Sequence, residues 1–451
     1  MPRVGTAIRR WLAALLAFAT LAGLAAGAAI AAGRYEGVAS CAGSTCHGRA
    51  EGNGAVVRQD ELRLWQEPSS RGGAHSRTYA ALVSPRGQRI ASTLGLGAAG
   101  SASACLGCHA TPAGERGERF QVSDGVGCEG CHGPASGWIA SHYAVGASHA
   151  GNVAGGMVPL DSPAARASVC LDCHLGSAKP GQFVTHAMMA AGHPRISFEL
   201  DLFSSLQQHW DDDADYRARK PQADSVRLWA VGQAEAVQRS LNLFGRSELA
   251  SNGIFPEFTF YDCHSCHRRI DDNPDHQRAF ETNPARPIEF GQPPYNDENI
   301  IMLSAVAAVL APGEAARFDM AARNFNAAMG KGRTDAVAAG AKLDSAAGAL
   351  GNAMAAGPGG ADTAFRVIAA IGGRAISPRF TDYTGSAQAV MAVDTLLNAL
   401  VREGRVTVGA AAGIRANINR AYAAVTSPTD YNPAAFRAAL GQAVRSVEAL
   451  R

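Results

Sequence analysis

The chain has 451 residues, long enough for roughly two or three domains, and its 47% apolar content excludes a mostly disordered polypeptide. Its 41 basic residues nearly balance its 39 acidic ones, a formal charge of +2, so nothing in the charge selects for nucleic acid or an anionic membrane surface. Two domains are the expectation.

The first 32 residues stand apart from the fold. Arg3, Arg9 and Arg10 precede an Ala-rich apolar run over 11–32, and Ala29-Ile30-Ala31 supplies the small residues of a cleavage site, which predicts export with removal of a signal peptide. The run is also long enough to span a bilayer, so an uncleaved anchor over 11–32 is the alternative. No later segment offers a comparable span: 300–310 is apolar but short, and Pro312 follows it.

All ten cysteines then fall into five close pairs, each ending in Cys-His: Cys41/Cys46-His47, Cys105/Cys108-His109, Cys128/Cys131-His132, Cys170/Cys173-His174 and Cys263/Cys266-His267. An exported chain with an even cysteine count ordinarily suggests disulfides. A disulfide framework gives no reason for a histidine after every second cysteine, whereas haem attachment does. In Cys-x-x-Cys-His the two thiols add to the vinyl groups of haem and the adjacent imidazole ligates the iron. Zinc sites gather four ligands per ion, and no such grouping follows these pairs. The first pair, "CAGSTCH", has a loop two residues longer than the rest. It is read with the others as a haem site, giving five haems c, and a Cys41/Cys46 disulfide would leave four with His47 idle.

Thirteen histidines are present, and five would serve as proximal ligands. Each six-coordinate haem needs one more axial ligand. His75 opens a helix start in "AHSRTYAAL"; one of His142 and His149 is expected to return over a neighbouring ring after Gly133-Pro134. His193, held extended by Pro194, and His186 are candidates, with either one free to be a bystander. His264, between the cysteines of the fifth motif, faces away from its own haem and within reach of another. His209 and His276, beside acidic runs, read as solvent-exposed. Met157, Met188 and Met189 are alternative ligands, but methionine on an Ala-rich segment is more often apolar filling.

Between 37 and 270 the sequence is rich in Gly and Pro with no strand alternation, so haem is expected to replace much of the side-chain core. The stretch 200–249 reads as two helices around the "DDDADY" turn. After a Pro-rich connection, residues 300–451 contain neither cysteine nor histidine and show helical periodicity in six Ala-rich segments, with breaks at Pro312-Gly313, Gly357–Gly360, Gly372-Gly373, Gly404, Pro428 and Pro433. "MGKGRTDA" lacks the spacing and strand of a phosphate loop and reads as a helix break. The fold class is therefore mostly α: a multihaem cytochrome c domain with little regular structure over 33–285, then an antiparallel helical bundle over 286–451.

At "DGVGCEGCHGPASGWIASH", "MAAGHPRISFEL" and "FYDCHSCHRR" the chain resembles exported multihaem cytochromes of the cytochrome c554 type and, more distantly, hydroxylamine oxidoreductase and pentahaem nitrite reductase. The likeness covers 35–269. It implies closely packed haem pairs and distal ligation by His142, with His149 as competitor, by His193 and by His75. The Cys-x-x-Cys-Lys motif of the nitrite reductases is missing. None of Tyr35, Tyr79, Tyr143 and Tyr261 sits in the context of the crosslinked tyrosine of the hydroxylamine enzymes.

The expected function is electron transfer in the periplasm between redox proteins, a quinol-oxidising membrane donor and a periplasmic or outer-surface acceptor. Two alternatives stand beside it. One is an oxidoreductase acting on nitrogen or sulfur oxyanions or nitric oxide through a five-coordinate haem; the other is an architectural cytochrome assembling copies or a complex through its helical domain.

Overall fold

The computed structural model describes residues 33–52, 58–112, 114–210, 214–220, 224–250, 255–272, 285–289, 291–377 and 383–451. The expected signal segment and His276 lie outside the described residues. Among these residues the chain forms helices and no strands, with two isolated bridges, Tyr35 to Arg116 and Tyr261 to Tyr295. No described helix is long and apolar enough to cross a membrane.

Helices of twelve residues or more are numbered α1 Pro163–His174, α2 Ser225–Gly245, α3 Glu298–Leu310, α4 Pro312–Met329, α5 Arg333–Ala356, α6 Ala361–Ala375, α7 Tyr383–Arg402, α8 Val408–Ala423 and α9 Pro433–Glu448. Several starts are fixed by side-chain caps that satisfy the orphan N–H groups of the first turn. Ser162, Asp224, Thr407 and Asn432 accept from Ala165, Arg227, Ala410 and Ala435, opening α1, α2, α8 and α9, and proline stands in the first turn of α1, α4 and α9. Short connections make α3/α4, α4/α5, α7/α8 and α8/α9 packed neighbours, the arrangement of an antiparallel bundle.

The main hydrophobic core runs continuously from Val226 to Val447. Helix α2 is its pivot: it packs on α3, α5 and α7 and, on another side, on α1, which carries the fourth cysteine motif. Where α2 meets α5, a Cβ on Gly351 would stand 2.8 Å from the Ala234 methyl, so the approach requires glycine. Periodicity does not single out α6 among its six segments, because Gly372-Gly373 reads as a break. Both residues lie inside the helix, and Gly372 serves contact instead: its added Cβ would stand 2.6 Å from Val444 of α9. The stretch 200–249 holds Leu200–Leu206 and α2, with a further short helix, Ala214–Arg219, between them.

The first half of the chain is built differently. Its helices are mostly one or two turns, its apolar clusters are small, and its centre is a cavity of about 2130 Å³. An apolar interior of that size is not left empty by close-packed side chains.

Candidate haem-binding site

The second, third and fourth cysteine motifs each end a helix: Ser103–His109, Cys128–His132 and α1 all finish on the motif histidine. Helical winding puts the two cysteines three residues apart on one face and turns the histidine beneath them. The fifth motif is a tight turn in which Asp262 accepts from Ser265 and the His267 N–H bonds the Cys263 carbonyl at 2.8 Å. In the first motif the extra residues are absorbed by a bulge. Cys46 bonds back to the Gly43 carbonyl and His47 to that of Cys41, so the long loop still delivers Cys46 and His47 together. Gly133, at φ 83° after the third motif, turns the chain back where a Cβ would meet the Gly156 carbonyl at 2.9 Å.

Each motif histidine faces a second histidine. The ring centroids of His47 and His142 are 6.1 Å apart, those of His75 and His174 6.1 Å, His109 and His193 6.1 Å, His132 and His209 6.3 Å, and His186 and His267 6.0 Å. Two imidazoles on opposite sides of one iron, each bonded at about 2 Å with its centroid about 1.1 Å behind the nitrogen, stand about 6.2 Å apart. The spacing fits the iron of a haem. Among the described residues no three His, Cys, Asp or Glu side chains converge to hold an ion by themselves. The first four pairs line the large cavity, together with Cys41, Cys46, Cys108, Cys128, Cys131, Cys170 and Cys173.

The fifth motif departs from the expectation of a haem-filled interior. Cys266, named with the other nine cysteines as an attachment residue, is exposed, whereas those nine are half-buried. Neither Cys263 nor Cys266 lines the large cavity, and the same holds for His186 and His267. The physical reason is the turn itself: the short 3-10 segment Cys263–Ser265 ends just before Cys266, so no further helical turn covers this thiol, and its Sγ has the Ser265 hydroxyl at 3.7 Å as a neighbour. The sequence spacing carries no sign of this, because a Cys-x-x-Cys-His motif reads the same at a surface as in an interior. A haem held there would present one edge to solvent at Cys266.

The second ring nitrogen of several of the paired imidazoles is tied down, which fixes tautomer and orientation. His109 donates to the Thr78 carbonyl at 2.9 Å, His193 to that of Pro194 at 2.8 Å and His209 to that of Gln207 at 3.1 Å. His75 donates to the side-chain oxygen of Gln207 at 2.5 Å, and His142 lies 3.3 Å from the Asn152 amide. His47 differs: its Nδ1 donates to the carboxylate of Glu61 at 3.0 Å. Burial pushes the Glu61 carboxyl up, but the His47 bond and neighbouring backbone groups outweigh it and hold the group below its usual range. Burial drives His132 and His174 down to about 4, which keeps them neutral, the ligating form. Burial likewise raises the thiols of Cys131, to about 12, and Cys170, to about 11.

Beyond the motif histidines the sequence singled out six candidate ligands, and the structure sorts them. His75, His142, His186 and His193 are brought opposite motif histidines. His149 is not: it pairs with Asp161 at 3.1 Å, half-exposed. Nor is His264, which donates to the Pro428 carbonyl at 2.7 Å and stands edge-on to Tyr431, so the helical domain takes its imidazole away from any motif histidine. His209, read as solvent-exposed, is part-buried between His132 and Trp210. The acidic run after it masked a simple signal: five proximal histidines need five partners, and Leu206 and Trp210 flank His209 with apolar surface.

A helical chain that lines a large cavity with Cys-His motifs and facing histidines carries the residues that would hold haem c, with the cysteines as attachment points and the histidine pairs as axial ligands. Residues 40–133, which contain the first three motifs whole and make up less than half of the chain, match the family model of cytochrome c554 and c-prime. No curated protein and no solved structure matches the chain.

Proposed function

We propose that the protein is an exported five-haem electron carrier, with all five cysteine pairs as attachment sites and five histidine pairs as axial ligands. The observation that carries this reading is that every motif histidine, including His47 of the atypical first motif, has a second histidine about 6 Å opposite. An enzyme acting on a small molecule at iron needs an open axial position, and the pairs leave none. Haem c supplies a one-electron iron couple, while the protein sets its potential through ligands, hydrogen bonds and burial.

The sites follow one another in space in an order different from the sequence. The thiol of Cys41 in the first motif lies next to that of Cys128 in the third, which is the main cause that raises its pKa. Cys131 of the third lies within electrostatic reach of Cys170 and Cys173 of the fourth, and Cys173 neighbours Cys108 of the second, its Sγ lying 3.9 Å from the Gly107 carbonyl inside the second motif. Arg195, two residues after His193 at the second site, reaches Cys263 of the fifth at 3.9 Å. The order first, third, fourth, second, fifth supports a linear relay with the first and fifth sites at its ends, and the exposed Cys266 suits a terminal site that meets a partner. The donor and acceptor are redox proteins, and the basic leader with its apolar run supports a periplasmic location, free or anchored by 11–32.

Intact mass and ferric spectra of the purified holoprotein test this together. Five covalent haems, all low-spin, are expected. A mass with four haems would remove one site from the relay, and a high-spin haem that binds nitric oxide would replace the carrier by an enzyme.

A further inference from the structure

The five histidine pairs are not equivalent in what holds them. Where the second nitrogen of a paired imidazole has a partner in the described residues, that partner is a neutral carbonyl or amide group in every case but one. The exception is His47, whose Nδ1 donates to Glu61. Among the described residues the other histidine paired with a carboxylate is His149, which faces no motif histidine.

The contact is built in. Glu61 is the first residue of the helix Glu61–Gln66, where a negative charge is favoured by the helix dipole. The backbone holds it from both sides: Leu62 N–H donates to the His47 carbonyl at 3.0 Å and Arg49 N–H to that of Gln59 at 2.8 Å. Loop and helix are thus clamped with the carboxylate aimed at the ring. Glu61 also lines the large cavity with His47 and His142.

A carboxylate draws the imidazole N–H proton toward itself and makes the ring a stronger donor to the metal. A stronger donor and a nearby negative charge both favour the ferric over the ferrous state, so the reduction potential falls. Neutral carbonyl acceptors do this more weakly.

We infer that Glu61 is a positioning residue that sets the haem on His47 to the lowest potential of the chain, making the first motif the end at which electrons enter the relay. The inference rests on the five-haem reading, with His47 and His142 as ligands of the first haem. Electrons then run from the first site toward the fifth, in the order third, fourth, second.

The test is a spectroscopic redox titration of the holoprotein beside Glu61→Gln and Glu61→Asp, with intact mass and ferric paramagnetic resonance on each. Glutamine keeps a hydrogen-bond acceptor without the charge, so His47 stays in place. The expected result is five haems in all three proteins and, in Glu61→Gln, a rise in the lowest-potential component by about tenfold in its reduction equilibrium, about 59 mV for one electron. The other four components stay where they were. Glu61→Asp restores the low potential in whole or part. Five haems with superimposable titrations, or a shift confined to a higher-potential component, would overturn the role of Glu61 while leaving the carrier intact. Four haems in the unaltered protein would overturn the five-haem reading and this inference with it.

Discussion

His209 stands 6.3 Å from His132 with the two ring planes at 84°, and Trp210 sits edge-on against it. Its Nδ1 is committed to the Gln207 carbonyl, which leaves Nε2 as the nitrogen available toward His132. Replacing His209 by Ala is expected to convert one low-spin haem to high spin while intact mass shows no haem lost, because attachment depends on Cys128 and Cys131. An unchanged ferric spectrum would remove His209 from the ligands. The same substitution at His149 or His264 is expected to leave the spin state untouched, since neither faces a motif histidine.

Gln207 serves two sites by different atoms: its side-chain oxygen accepts from His75 and its backbone carbonyl from His209. Replacing Gln207 by Leu removes the first bond and keeps the second. The expected outcome is a change in the resonance signal of the His75/His174 site alone, with a stability loss of about 0.5–1.5 kcal/mol, the net worth of an ordinary hydrogen bond. A change at both sites would show that the backbone had moved as well.

The five Cys-His motifs were legible in the sequence because their spacing is a local pattern, and the helical second half because Ala-rich segments keep a 3.6-residue period. How deeply each motif cysteine is set was not legible: Cys266 shares its motif pattern with half-buried counterparts and yet lies at the surface. The histidines that come opposite motif histidines were legible only where local context helped, as at His75, His142 and His193. His209 comes to His132 from a segment 77 positions along the chain, after Leu200–Leu206 has docked beside α2, and no local pattern encodes that. Helix α6 was hidden for a related reason. The Gly372 that looks like a break is demanded by Val444 of α9, a residue far away in sequence.

The carboxyl of Glu199 is buried and caps the helix Leu200–Leu206, accepting from the Asp201 and Leu202 N–H groups. Burial first, then the nearby Asp201, raises it to about 8 from an ordinary 4.5. Asp201 is itself raised by burial, against the Thr395 hydroxyl at 2.6 Å and Arg402 at 4.0 Å. A carboxyl raised on folding stabilises the fold while protonated. Its contribution is full below about pH 4.5 and is lost as the pH rises through about 8. Thermal unfolding of the holoprotein is therefore expected to weaken over that window, and Glu199→Gln is expected to flatten the slope and to be the more stable protein above pH 8. A steeper slope in the variant would contradict the assignment.

Phe244 is fully buried at the end of α2, with the rings of Phe255, Phe260, Tyr295 and Phe325 each within 5.6 Å. That cluster joins the segment of the fifth motif to α4, so it ties that motif to the helical domain. Phe244→Ala is expected to destabilise the protein by about 3–5 kcal/mol, the transfer and cavity cost of a buried aromatic. Denaturant unfolding of the holoprotein measures it, and a loss below about 1 kcal/mol would mean that the cluster closes over the gap.

The histidine pairs divide by ring orientation. His47/His142 and His186/His267 have planes at 23° and 32°, whereas the pairs on His109, His132 and His174 are at 83–87°. Near-parallel imidazoles split the two iron orbitals of π symmetry and give a rhombic low-spin signal. Perpendicular ones leave those orbitals nearly degenerate and give a strongly anisotropic signal. The ferric holoprotein is therefore expected to show two rhombic and three strongly anisotropic components at low temperature. Because the near-parallel pairs belong to the two ends of the proposed relay, the rhombic pair also identifies the terminal sites. In His186→Ala one rhombic component should vanish and the other remain, whereas loss of an anisotropic component in that variant would break the assignment of His186 to the fifth site.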